Sequence, residues 1–117
     1  MSEDEQVKTA NRYILDVCDS ELNPDIKNAI YWRLKKGKEA YGHELRPMDN
    51  TTAWGTKKDS WLEMAEEEIA DAIIYVLTNY LRLVENKTAD ETSFQLSMHI
   101  CRTLSEVHHL TGMIPPE

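Results

Sequence analysis

The chain has 117 residues, with 13 Lys plus Arg against 21 Asp plus Glu for a formal charge of −8, and is 41% apolar and 29% charged. That length fits one domain, and the acidic excess opposes a general nucleic-acid surface, which needs clustered positive charge. The longest apolar run, Ala72 to Leu77, falls far short of the roughly 20 residues of a membrane span.

The first six residues, Met-Ser-Glu-Asp-Glu-Gln, are acidic where a targeting peptide is basic and then apolar, so a cytoplasmic protein is expected. Ser2 and Glu5 have capping-box spacing, and Val7, Ala10, Ile14, Val17 and Cys18 recur at helical intervals, predicting a first helix that ends near Glu21. Asn23 before Pro24 predicts an N-cap with proline at the first helical position, and Ile26, Ala29, Ile30, Arg33 and Leu34 carry a second helix towards Tyr41 and Gly42. From His43 to Asp59 the periodicity disappears among turn-forming residues that include Pro47, Asp49, Asn50 and Gly55. A loop of that length in a compact domain is often functional. Ser60 and Glu63 form a second capping-box candidate, opening a helix that runs to about Asn86. Thr88 or Asp90 then caps a last helix, in which Phe94, Met98, Cys101, Leu104, Val107 and His108 line one side until Gly112. Four helices with mostly short connections predict an all-α, four-helix bundle-like fold. Cys18 and Cys101 lack the spacing of a zinc or redox site and read as small buried hydrophobes.

The third helix carries most of the chemical information. With Glu63 at zero on a helical wheel, Glu67 falls at about 40°, Asp71 at about 80° and Glu68 at about 140°, while Glu66 points away at about −60°. The apolar set Ala65, Ile69, Ala72, Ile73 and Val76 occupies the arc from about 180° to 280°, so the main core stripe lies elsewhere. Ile74 and Tyr75 return to the acidic side, which predicts that this side is also covered. Like charges four residues apart repel, and a divalent cation removes that conflict: Mg²⁺ binds through a few carboxylates, keeps waters and takes substrate phosphate oxygens. Two ordinary readings compete. Acids early in a helix are stabilised by its dipole and commonly form a solvated face, and Asp71, past the first turns, can instead pair with an Arg or Lys.

Seven of the 13 basic residues lie between positions 33 and 58: Arg33, Lys35, Lys36, Lys38, Arg46, Lys57 and Lys58. With Tyr41, His43 and Trp54 in the same segment, phosphate-pairing cations stand beside rings able to stack on a base. A solvated helix end for the lysines and core packing for Tyr41 and Trp54 are the alternatives. His99, His108 and His109 have no metal-ligand spacing and are assigned no role.

The sequence Glu67-Glu68-Ile-Ala-Asp71-Ala-Ile-Ile-Tyr75 resembles the EExxD signature of the MazG-like all-α nucleoside triphosphate pyrophosphohydrolases. Lys38-Glu-Ala-Tyr41-Gly42-His-Glu-Leu45, followed by a polar loop and Trp61-Leu62, is similar to small phage-type members, so the resemblance covers roughly residues 30 to 82. It implies hydrolysis of a (deoxy)nucleoside triphosphate to monophosphate and pyrophosphate with Mg²⁺ or Mn²⁺, in a homodimer or homotetramer. It also implies Glu68 and Asp71 as metal ligands and Glu67 as a further ligand or the base that orients water. Lys35, Lys38 or Arg46 would hold phosphates, and Tyr41, His43 and Trp54 would line the substrate site. The family's ExxE pair on the preceding helix is replaced by Glu39 and Glu44, five apart across Gly42. Glu39 is then a lone surviving ligand, Glu63 a substitute, or catalysis has been lost and the chain is a helical protein-binding or regulatory module.

Overall fold

A computed structural model describes residues 9–115, which are helical with turns and contain no strand. Among these residues four α-helices are present: α1 (Ala10–Glu21), α2 (Pro24–Tyr41), α3 (Trp61–Glu85) and α4 (Glu91–Thr111). The chain divides after Asp49 into two compact units, a boundary inside the aperiodic stretch between the second and third helices. One unit contains α1 packed on α2, and the other contains α3 packed on α4.

The helix ends follow from local chemistry. The Ser2–Glu5 capping box lies outside the described residues; among them α1 has Thr9 as its N-cap. There the backbone is extended, and the hydroxyl accepts a hydrogen bond from the Arg12 amide at 3.1 Å. Asn23 is the N-cap of α2 and Pro24 opens it, although no side-chain cap bond forms. Gly42 ends α2 with φ 77°, a left-handed conformation in which a Cβ is penalised, and its amide donates to the Lys38 carbonyl at 2.8 Å.

Ser60 caps α3 as its spacing predicts, accepting from the Glu63 amide at 3.1 Å. The Glu63 carboxylate does not complete the box; it accepts from the Lys58 amide at 3.0 Å and ties the preceding loop to the helix. At the far end, Lys87 has φ 59°. The Thr88 amide reaches back to Leu83 at 2.9 Å and the Lys87 amide to Val84 at 3.0 Å, the two bonds of a Schellman motif built without glycine. Asp90, rather than Thr88, caps α4, in a reciprocal capping box with Ser93.

The interior is small. Cys18 is buried at 2% exposure as expected, whereas Cys101 is only half-buried. The most enclosed cluster in the second unit is polar. Thr51, at 0% exposure, and the buried Thr56 occupy the centre of the loop before α3. The Ser60 amide donates to Thr51 Oγ1 at 2.7 Å, Thr51 and Thr56 share a 2.7 Å hydroxyl bond, and Thr56 donates to the Lys58 carbonyl at 2.6 Å. The Thr51 amide donates to Asp59 at 3.0 Å. Both buried hydroxyls of this loop are satisfied, so it reaches α3 as a fixed turn instead of a loose connection.

Candidate functional site

On α3 the acidic run is divided by its partners. Glu63 is occupied by the Lys58 amide, and Glu66 lies 3.9 Å from His108 on α4. Glu67 and Glu68 are exposed, and Asp71 is half-buried. Among the described residues no Lys, Arg or His forms an ion pair with any of these three. Among the described residues, the alternative in which Asp71 is one half of a salt bridge finds no partner.

The expected enclosure of this side is not observed. Ile74 and Tyr75 are exposed at 57% and 67%, because the packed face of α3 is the arc of Ala65, Ile69, Ala72, Ile73 and Val76, all half-buried. The acids share an open side of the helix with apolar residues. Among the described residues, no group of three or more His, Cys, Asp or Glu side chains converges as a metal site. The donor set is nevertheless all carboxylate oxygen, the chemistry suited to Mg²⁺, which commonly takes one or two protein carboxylates and completes its shell with water and phosphate oxygens. Glu68 and Asp71, three apart on neighbouring turns, are such a pair.

The first unit holds an open groove of about 630 Å³ between α1 and α2, within the size range of small-molecule sites. Lys35, Lys38 and Glu39 line it, as the sequence suggested for ligand-binding residues, together with Arg12, Tyr31 and Glu44. Its cations are positioned by weak local contacts. Arg12 Nε is 3.2 Å from Asp16, Lys35 Nζ sits 4.9 Å from the centre of the Trp32 ring, and Lys38 Nζ is 3.8 Å from Glu44. Arg12 and Tyr31 were not singled out by the sequence. The i, i+4, i+7 spacing of Tyr31, Lys35 and Lys38 is the one signal that could have placed Tyr31 with the lysines.

Tyr41, His43 and Arg46 do not line that groove. Tyr41 and His43 approach each other with ring centroids 6.5 Å apart, and His43 Nδ1 donates to the Glu44 carbonyl at 2.7 Å. That bond leaves Nε2 as the ring atom able to accept a proton or a hydrogen bond. Arg46 is exposed in the turn beyond. Trp54 belongs to the second unit, where its ring lies 5.5 Å from that of Trp61, held there by the threonine-centred loop.

Comparison with family models, with curated proteins and with solved structures gives no match. No helix among the described residues is long and apolar enough to cross a membrane.

Proposed function

We propose that the chain is a metal-dependent nucleoside triphosphate pyrophosphohydrolase with a MazG-like four-helix fold, acting as a homodimer or homotetramer. The observation that carries the reading is the set Glu67, Glu68 and Asp71 on one side of α3, with no counter-cation among the described residues. Three unneutralised carboxylates within five positions repel one another, and the EExxD resemblance supplies the reason for keeping them together.

In this reading Glu68 and Asp71 hold Mg²⁺ or Mn²⁺. The bound ion supplies charge neutralisation on phosphate oxygens and a water of lowered pKa. Glu67 orients that water for in-line attack at phosphorus. In the first unit, Lys35 and Lys38, both on the rim of its groove, and Arg46 are the cations whose chemistry suits phosphate, through charge-assisted hydrogen bonds. Trp54, in the unit that carries the acids, is the ring able to stack on the base. A stoichiometric Mn²⁺ titration followed by electron paramagnetic resonance tests the metal half of the proposal: one ion per chain is expected in wild type and none in Asp71→Asn.

A second reading has its own support. Ile74, Tyr75 and Leu81 on α3 are exposed, and apolar side chains displayed together suit a protein partner. A catalytically inactive helical protein-binding or regulatory module would present this face and bind no metal.

A further inference from the structure

We infer that the outer face of α4 is the surface through which two copies of this chain pair, antiparallel and about a two-fold axis at Thr103. The inference rests on the proposal that the chain self-assembles, and it specifies where.

Two rows run along α4. Ser93, Ser97, Cys101 and Leu104 form the row turned towards α3, and all four are buried or half-buried. About 100° round the helix, Leu96, Ile100, Thr103, Val107 and Leu110 form a second row, and all five are exposed. Their spacing is four, three, four, three, the a/d repeat by which one helix seats its side chains into another. The packing of α3 on the first row leaves the second without a partner helix in this unit.

The row is fitted for close approach. Thr103, at its centre, is the smallest member, and its hydroxyl donates to the His99 carbonyl one turn back at 2.8 Å. It therefore brings a methyl group and no unsatisfied donor into an apolar seam.

The polar flank fits a second copy and sets its direction, because an imidazole N–H can donate to a carboxylate. Along the flank of this row stand His99 and Glu106. A two-fold pairing through Thr103 places Leu96 across from Leu110, Ile100 across from Val107, and His99 across from Glu106 of the other copy, twice over. Such a patch is self-complementary, as an isologous interface requires. A parallel pairing would instead set Glu106 against Glu106 and align the two helix dipoles unfavourably. The exposed apolar row on α3 is different: its flank carries Glu67, Glu68 and Asp71, which repel a copy of themselves and suit a cation.

Sedimentation of wild type, of Ile100→Glu/Val107→Glu and of Thr103→Cys tests the inference. Both glutamates enter exposed positions, so helical circular dichroism should be retained while self-association weakens by at least about 100-fold. In a Cys101→Ser background, Thr103→Cys should form an intermolecular disulfide on mild oxidation, and Gln95→Cys, off the row, should not. A monomeric wild type at the same concentration overturns the inference, as does a dimer that survives both glutamates without cross-linking at position 103. None of these readouts depends on hydrolysis, so a failed nucleotide assay leaves them interpretable.

Discussion

The carboxylate of Glu66 on α3 lies 3.9 Å from Nε2 of His108 on α4. Nearer the turn between these helices, the Tyr80 and Phe94 rings meet edge to face at 5.7 Å. Together the two pairs set the antiparallel register of α3 on α4. Glu66 is thereby turned towards α4, whereas Glu67, Glu68 and Asp71 have no ion-pair partner among the described residues.

Asp71→Asn is expected to abolish hydrolysis, whereas Glu66→Gln should leave it close to wild type. In the absence of divalent metal, Asp71→Asn should melt at the same temperature as wild type or higher, because a repelling charge has been removed. Thermal denaturation in chelator checks this. A marked loss of stability would show that Asp71 compensates a buried cation.

Thr51→Val keeps the shape of a fully buried side chain and removes the hydroxyl that joins Ser60 to Thr56. The Ser60 amide would lose its acceptor in an enclosed site, a cost of about 2 kcal/mol. Urea denaturation should report that loss, and an unchanged midpoint would contradict the role assigned to the threonine pair.

Much of this architecture was legible because helix boundaries are written in short-range chemistry. Pro24, Gly42 and Ser60 announce themselves by residue type, and the 3.6-residue periodicity of α3 and α4 is strong. The threonine cluster was not legible, since a buried hydroxyl network depends on loop closure over nine residues, from Thr51 to Ser60. The end of α3 at Asn86 was legible, but not the turn that follows it, where Lys87 adopts a backbone that composition assigns to glycine. For the candidate site, the sequence located the acids and lysines by type. It misjudged the exposure of Ile74 and Tyr75, because a wheel gives direction around one helix and not which neighbours lie there.

Asp90 titrates below its ordinary value of 3.8, chiefly because the Ser93 backbone amide, and then the Ser93 side chain, favours the charged carboxylate. A depressed folded-state pKa means that its contribution is complete above about pH 4 and is lost as the pH falls through the lower folded value. Asp90→Asn retains a capping oxygen and should remove this part of the acid dependence. The difference in melting temperature between the two proteins should therefore change between pH 5 and about pH 2; a constant difference would contradict the assignment.

Lys87 at φ 59° incurs the left-handed penalty that glycine avoids. Lys87→Gly should raise stability by about 1 kcal/mol, measurable as an increased denaturation midpoint. A decrease would show that the lysine side chain makes a compensating interaction at the C-terminus of α3.

The most direct test of the proposed activity is pyrophosphate release from a panel of ribo- and deoxynucleoside triphosphates, with Mg²⁺, with Mn²⁺ and with chelator, on wild type and Asp71→Asn. The account predicts metal-dependent formation of monophosphate and pyrophosphate in equal amounts, absent from chelator and from the variant. No release from any nucleotide, or release undiminished in Asp71→Asn, would contradict it.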